Sequence, residues 1–248
     1  MVKRRQIVNI RKNSFELHAW QQGFVVAGID EVGRGCMAGP VVAATVILPI
    51  DKTHPMLKDS KIMTCQARES AALWIREHCI YGVGIIHHRI IDEHNIRQAT
   101  LMAMKKSLLN ALERSCTRPS AILIDAMPLD VSNTYLYDIP IYSFPYGETK
   151  SSSIAAASII AKVTRDAMMR SFDKAIPGYA LLQNKGYGTA AHMAEVYKCN
   201  HSIAHRVTFL TKLFQQKKND KSAQQAINFY LQEERLSNEA GEILCRSD

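Results

Sequence analysis

The stretch from Gly28 to Pro40, GIDEVGRGCMAGP, constrains the fold more than any other part of this sequence. It lies between two short apolar runs, Phe24 to Ala27 and Val41 to Leu48, which are typical of buried strands. Asp30 and Glu31 are therefore predicted to end a core strand, just before a turn. Because neighbouring residues on a strand point to opposite faces, we expect one carboxylate to approach from the strand end and the other from the turn.

The residues of this turn favour a site for a metal ion and a phosphate. Carboxylate oxygens are the ligands that hard divalent cations prefer. Gly33 and Gly35 allow the backbone to approach a ligand closely, and Arg34 carries a fixed charge suited to phosphate. A solvated acidic pair in a hairpin would explain Asp-Glu alone, since charged residues are mostly exposed. The combination with Gly-Arg-Gly and Gly-Pro is more specific.

A second carboxylate follows another predicted strand. The run from Ala121 to Asp125 reads as a strand with Asp125 at its end. A lone Asp after a strand also commonly starts a turn. Two core strands that each end in a carboxylate can nevertheless build one metal site together.

The remaining pattern predicts an α/β domain with five strands and several helices. Ser60 and Thr189 are predicted helix N-caps, and His87 and His88 are expected at the surface. Further strands are predicted over residues 81–87 and 139–144, and helices over 62–79, 92–114, 152–172 and 190–198.

Composition sets the organisation that we expect. The chain has 248 residues, 47% hydrophobic and 22% charged, which suits one globular domain of about 200 residues with short tails. We predict a basic lead-in over 1–24, one main domain over 25–211 and a helical extension over 212–248. The net charge of +8 suits a polyanionic partner.

The sequence also favours a monomeric, cytoplasmic protein without a membrane partner. No apolar run approaches the roughly 20 residues that a membrane span needs. The six cysteines include no C-x-x-C pair and are widely spread, which is typical of reduced thiols. The first residues are basic and contain no apolar segment typical of a secretory signal.

Three segments together closely resemble one enzyme family. The stretch 28–40, the run SIAAASIIAKVTRD at 153–166 and KGYGT at 185–189 are similar to the type 2 ribonucleases H, the ribonuclease HII group. The resemblance extends from about residue 25 to 211. It implies a ribonuclease H-like fold, with a central five-stranded mixed sheet flanked by helices. We expect too little room for the additional N-terminal domain of the type 3 enzymes, which favours the HII group.

The resemblance implies endonucleolytic hydrolysis of RNA in RNA/DNA hybrids. It also implies a cut on the 5′ side of single ribonucleotides embedded in duplex DNA, by a mechanism that uses two Mg²⁺ or Mn²⁺ ions. The implied catalytic and metal-binding residues are Asp30, Glu31, Asp125 and Glu148.

This chain departs from the family pattern near the last of these residues. The family has Lys-Gly-Asp where this sequence has Tyr146, Gly147 and Glu148, and it usually has Gly where this sequence has Ala126. Glutamate also binds hard metals but is one methylene longer, so the position of the second metal is in question. Asp166 is a rival for the fourth carboxylate, which we interpret as a supporting residue.

The resemblance also implies roles in substrate binding. The backbone of Gly33, Arg34 and Gly35 would read the ribose 2′-hydroxyl. Lys61 of the Asp-Ser-Lys segment would lie near the phosphate that is cut, and Tyr187 would pack at the junction between ribose and deoxyribose. Each of these two side chains also has a purely structural explanation. Lys61 would then be an exposed lysine at the start of a helix, and Tyr187 would anchor its loop to the core.

Two other functions remain open from the sequence. The protein could be a non-catalytic or weakly active binder of RNA/DNA hybrids if Glu148 displaces the second metal. It could also be another metal nuclease of the same broad fold, such as a junction resolvase. In that case Gly-Arg-Gly and Tyr187 would have no evident purpose.

Overall fold

A five-stranded mixed sheet is the centre of the computed structural model, which describes residues 11–132 and 134–211. The strands are β1 Val26–Val32, β2 Val41–Ile47, β3 Ile80–Ile86, β4 Ala121–Asp125 and β5 Ile141–Phe144, in the order β3-β2-β1-β4-β5. The β1–β2 and β2–β3 pairs are antiparallel, whereas the β1–β4 and β4–β5 pairs are parallel. The predicted extension over 212–248 lies outside the described residues.

Helices precede, connect and follow the strands. They are α1 Ser14–Gln21, α2 Cys65–His78, α3 His88–Leu112, α4 Gly147–Lys150, α5 Ser152–Ala175, α6 Leu181–Asn184 and α7 Ala190–Cys199. A mixed five-stranded sheet with helices confirms the predicted fold class. Within the described ranges, none of the helices combines the length and apolarity that crossing a membrane requires.

The chain divides into two compact units. Within the described ranges, the first unit comprises residues 11–32, 41–86, 97–132 and 134–165 and holds the whole sheet. The second unit comprises residues 33–40, 87–96 and 166–211, so it holds the glycine-rich turn.

Glycines in two strands identify the helix that covers each face of the sheet. A Cβ on Gly28 would lie 2.2 Å from the backbone of Ser153, so α5 packs directly on this face of β1. A Cβ on Gly84 would lie 1.9 Å from the Ala103 carbonyl oxygen, so α3 packs equally closely on β3. Gly84 is level with Ala43 and therefore with Glu31, an odd-numbered position of β1. Since odd and even positions face opposite ways, α3 and α5 cover opposite faces.

The first strand continues past the acidic pair that is predicted to end it. The apolar run before the pair begins at Phe24, whereas β1 begins at Val26 and ends at Val32. The cause is strand pairing, because Asp30 and Glu31 are opposite Ala44 and Ala43 of β2. Both carboxylates therefore lie within a regular strand, and the expectation that one of them would approach from the turn is wrong.

Two predicted helix starts are also wrong. Helix α2 is capped by Thr64, whose hydroxyl accepts the Ala67 N–H at 3.2 Å, and not by Ser60. Helix α3 begins at His88 and not at Asp92, with a non-helical residue at Asn95. His88 is buried at 5% exposure, contrary to the surface position predicted for it. The predicted N-cap at Thr189 is confirmed, since its hydroxyl accepts the His192 N–H at 3.2 Å.

Candidate active site

Asp30 and Asp125 are level with each other on the two parallel strands β1 and β4, of which β4 ends at Asp125. The β1–β4 register pairs Gly28 with Leu123 and Ile29 with Ile124, so the next pair along it is Asp30 and Asp125. Residues level with each other on neighbouring strands share a face. Both aspartates therefore belong to the face that α5 covers, whereas Glu31 belongs to the opposite face.

Asp30 is held in a largely buried position, with 8% of its surface exposed. Burial raises its pKa well above the usual value, and the charges of Glu31 and then Asp125 raise it further. Hydrogen bonds from the Ser158 hydroxyl and the Glu31 N–H act in the opposite direction. A cation beside these carboxylates would offset their repulsion and favour the charged forms.

Glu148 is brought close to Asp125 by a short helix. The main-chain N–H of Gly147 donates to Oδ1 of Asp125 at 3.0 Å, and Glu148 is the next residue along α4. Glu148 is buried at 5% exposure, and its Oε2 has no hydrogen-bond partner. Burial of an unpartnered carboxylate oxygen is costly, so this atom fits a cation ligand.

The donor set fits a hard divalent cation, although its side chains do not converge on one point. The part of the chain that the structure describes contains no group of three or more His, Cys, Asp or Glu side chains arranged to hold a metal ion. The chemistry of Asp30, Glu31, Asp125 and Glu148 nevertheless suits Mg²⁺ or Mn²⁺, which prefer oxygen ligands. The rival Asp166 is also buried, but it belongs to the second unit, whereas these four belong to the first.

Two serines support Asp30 from behind. The Ser158 hydroxyl on α5 donates to Asp30, and it lies 2.8 Å from the hydroxyl of Ser60. Both serines are buried, at 7% and 3% exposure. Ser60 thus joins the Asp-Ser-Lys segment to the carboxylate site, whereas the next residue, Lys61, is exposed. No local pattern in the sequence predicts the Ser60–Ser158 contact.

The segments that follow β4 and β5 contain two residues with left-handed backbone. Ala126, directly after Asp125, has φ 50°, and Tyr146, directly before Gly147, has φ 58°. Non-glycine residues adopt this region at a cost of roughly 1–2 kcal/mol. The family's usual Gly at position 126 would avoid that cost, so this departure from the pattern has a structural consequence.

In the second unit, the glycine-rich turn is hydrogen-bonded to the loop that carries Tyr187. Cys36 forms a β-bridge with Tyr187, and Met37 donates its N–H to the Gly186 carbonyl at 2.7 Å. Gly186 has φ 79°, and a Cβ there would lie 2.4 Å from the Ala38 carbonyl oxygen. Tyr187 itself is 41% exposed, so its ring is accessible to a ligand.

Arg206 organises the same turn from inside the second unit. Its side chain is fully buried and donates to three carbonyl oxygens, those of Gly33 at 2.7 Å, Arg34 at 3.0 Å and Gly39 at 3.0 Å. The planar guanidinium suits several fixed acceptors at once. Arg34 and Gly35 remain exposed on the turn that Arg206 supports. No residue pattern in the sequence marks this role of Arg206, because the acceptors are backbone atoms.

Comparison with known proteins finds the ribonuclease HII family over most of the chain, in agreement with the resemblance in the sequence. A family profile described as ribonuclease HII matches residues 27–214. Ribonuclease HII of Listeria innocua serovar 6a is 46% identical over 202 residues, which cover 81% of this chain and 74% of that protein. Ribonuclease HII of Alkaliphilus metalliredigens is 42% identical, with coverage of 80% and 96%.

A solved structure, that of the PCNA:RNase HII complex from Archaeoglobus fulgidus, also resembles this chain. The TM-score is 0.60 at 25% identity, with 74% of this chain and 94% of that chain covered. Residues 27–214, which the family profile matches, contain both carboxylate-bearing strands and the loop with Tyr187. By its sequence and its fold, this chain belongs to the ribonuclease HII family.

Proposed function

We propose that the protein is a metal-dependent endoribonuclease that hydrolyses RNA in RNA/DNA hybrids and cuts on the 5′ side of single ribonucleotides in duplex DNA. The observation that carries the proposal is the alignment of Asp30 with Asp125 on adjacent parallel strands, together with the unpartnered oxygen of Glu148, whose neighbour Gly147 donates its N–H to Asp125. Membership of the ribonuclease HII family supports the substrate class.

The carboxylates have distinct tasks in this proposal. Asp30 and Asp125 are the main metal ligands, and Glu31 and Glu148 complete the set. Two divalent ions held there would supply activation of the attacking water and stabilisation of the leaving 3′-oxygen. Ser158 orients Asp30, and the Gly147 N–H orients Asp125 at 3.0 Å.

Substrate recognition is assigned to residues that the carboxylate site does not use. The backbone at Gly33, Arg34 and Gly35 reads the 2′-hydroxyl, which distinguishes RNA from DNA. Tyr187 packs at the junction from ribose to deoxyribose, and its 41% exposure supports this role. Lys61, which is exposed, contacts the phosphate that is cut.

The same proposal covers the setting of the protein. We infer a cytoplasmic monomer with residues 25–211 as its catalytic domain. None of the five cysteines within the described ranges is in a disulfide bond, which supports a reducing compartment. Its partners are RNA/DNA hybrid and ribonucleotide-containing duplex DNA.

Cleavage of a labelled DNA duplex with one internal ribonucleotide tests the function. With Mg²⁺ or Mn²⁺ we expect a single cut that leaves the ribonucleotide at a 5′-phosphate end, and no cut with EDTA or with an all-DNA duplex. Asp30→Asn and Asp125→Asn should abolish cleavage but spare duplex binding. Tight binding of hybrid without cutting by the wild-type protein in either metal would instead support the non-catalytic binder.

A further inference from the structure

Two buried histidines of the second unit face each other beside the Tyr187 loop. Nε2 of His192 lies 3.0 Å from Nε2 of His205, and the two side chains are 0% and 2% exposed. A hydrogen bond between these atoms requires one ring to donate and the other to accept. Since a neutral imidazole carries one proton, the partners at the two outer nitrogens decide which ring donates.

The outer partners assign both tautomers. One further partner, the Ser202 hydroxyl 2.8 Å from Nδ1 of His205, can donate or accept and fits either form. Nδ1 of His192 lies 2.9 Å from the Tyr187 carbonyl oxygen, which can only accept, so Nδ1 carries the proton. Its Nε2 must then accept from Nε2–H of His205. That leaves Nδ1 of His205 as an acceptor, and it receives the Ser202 main-chain N–H at 3.0 Å. A main-chain N–H can only donate, so the chain is consistent from both ends.

This chain of hydrogen bonds links the Tyr187 loop to the glycine-rich turn. The Tyr187 carbonyl accepts from His192, and the Tyr187 N–H donates to the Asn184 carbonyl at 2.9 Å. At the other end of the chain, His205 forms a β-bridge with Ala38. The histidine pair therefore holds the main chain at the two segments to which substrate recognition is assigned.

The arrangement tolerates no additional proton. A second proton on either ring would place two N–H donors against each other at Nε2. Burial lowers the pKa of His192, and burial together with the neighbouring His192 lowers the pKa of His205 to about 4. His88 and His201 also face His205 and lower its pKa, and the Tyr179 ring packs on it edge-on at 4.9 Å.

We propose that His192 and His205 are positioning residues that hold the Tyr187 main chain through this fixed pair of tautomers, and that they do so only while both rings are neutral. The proposal rests on the proposed function for the role of Tyr187 in ribose binding. The tautomers themselves do not depend on that function, so the two can fail separately.

Nitrogen-15 NMR of the full-length, histidine-labelled protein tests the tautomers directly. At pH 7.5 we expect His192 as the Nδ1–H form and His205 as the Nε2–H form, each without tautomer averaging. Both should stay neutral on titration to pH 5.5, whereas an exposed histidine protonates near pH 6.5. His201→Asn, which changes an exposed histidine of the same segment, should leave both assignments unchanged. Averaged shifts, or an Nε2–H form of His192, would overturn the proposal.

Cleavage kinetics test the consequence for substrate. His192→Phe removes both hydrogen bonds of the ring. Since only the bond to the Tyr187 carbonyl holds the Tyr187 main chain, we expect KM for the single-ribonucleotide duplex to rise about tenfold, as for loss of that one buried hydrogen bond. His192→Asn keeps an N–H near the Nδ1 position and should recover most of this loss. Equal KM values for Phe, Asn and wild type would show that the pair does not position Tyr187. A wild-type protein that cuts nothing, with both tautomers as assigned, would contradict the proposed function and leave the histidine pair intact.

Discussion

The hydroxyls of Ser60 and Ser158 lie 2.8 Å apart, although 98 residues separate them in the chain. Ser158 in turn donates to Asp30, so the serine pair connects the Asp-Ser-Lys segment to the first carboxylate of the site. Because a hydroxyl carries one proton, Ser158 can donate to Asp30 while it accepts from Ser60. This order orients the carboxylate without adding charge near it.

Removal of the Ser158 hydroxyl should weaken metal binding more than turnover. We expect Ser158→Ala to raise the Mg²⁺ concentration for half-maximal cleavage about fivefold, which corresponds to one ordinary hydrogen bond. Ser60→Ala should act in the same direction but less, because Ser158 can still donate to Asp30. Metal titrations of cleavage measure both effects. Ser171→Ala on the exposed side of α5 is the matched control, and a shift as large in that variant would contradict the argument.

The left-handed backbone of Ala126 predicts a stabilising substitution. Ala126→Gly removes a conformational cost of roughly 1–2 kcal/mol from the folded state. It also increases the conformational entropy of the unfolded chain, which lowers the free energy of unfolding by about 0.4–1 kcal/mol. We therefore expect the free energy of unfolding to rise by about 0.5–1 kcal/mol. Ala167→Gly, within α5 where the backbone is helical, should lower it by a similar amount. Urea denaturation compares the two, and destabilisation by both would contradict the role of the backbone angle.

Several site features could be predicted from the sequence because they depend on local patterns. The alternation of short apolar runs gave five strands, and Asp30 and Asp125 were placed next to each other by the strands they follow. The predicted end of β1 is wrong because the strand continues through its pairing with Ala43 and Ala44, and strand pairing is not a local property. The role of Ser60 is not predicted for the same reason. Its local sequence is typical of a helix cap, whereas its hydroxyl contacts that of Ser158, 98 residues away.

The hydrogen bonds that Arg206 makes to the glycine-rich turn could not be predicted, because their acceptors are main-chain carbonyls. Such atoms are present at every position, so no residue pattern marks the three that Arg206 contacts. The tautomers of His192 and His205 could not be predicted either, because they also depend on main-chain partners, the Tyr187 carbonyl and the Ser202 N–H.

Replacement of Arg206 by lysine should test the three carbonyl contacts. A lysine ammonium is compact and cannot match the planar fork of the guanidinium. We expect Arg206→Lys to lower the free energy of unfolding by about 2–3 kcal/mol, as for the loss of hydrogen bonds from a charged donor. In binding assays, it should also reduce the preference for a duplex that contains one ribonucleotide over an all-DNA duplex. Arg170→Lys, at an exposed position of α5, controls for the change of side chain. An unchanged preference in the folded Arg206→Lys protein would separate Arg206 from ribose recognition.

Glu148 gives the sharpest test of the metal site, because this residue departs from the family pattern. Its extra methylene shifts the carboxylate by about 1.5 Å, the length of one carbon–carbon bond. Mg²⁺ requires near-ideal octahedral geometry and tolerates such a shift poorly, whereas the larger Mn²⁺ should accept it better. We therefore expect the wild-type protein to turn over faster with Mn²⁺ than with Mg²⁺. Glu148→Asp should narrow that difference.

The remaining variants identify the fourth carboxylate. Glu148→Gln keeps the size of a side chain that is buried at 5% exposure but removes its charge, so activity should fall with both ions. Asp166→Asn, at a buried carboxylate of the second unit, should have the smaller effect. Turnover across Mg²⁺ and Mn²⁺ titrations compares wild type with these three variants. If Glu148→Gln retains wild-type turnover while Asp166→Asn is inactive, the fourth ligand is Asp166, because loss of a ligand's charge weakens the metal binding on which turnover depends.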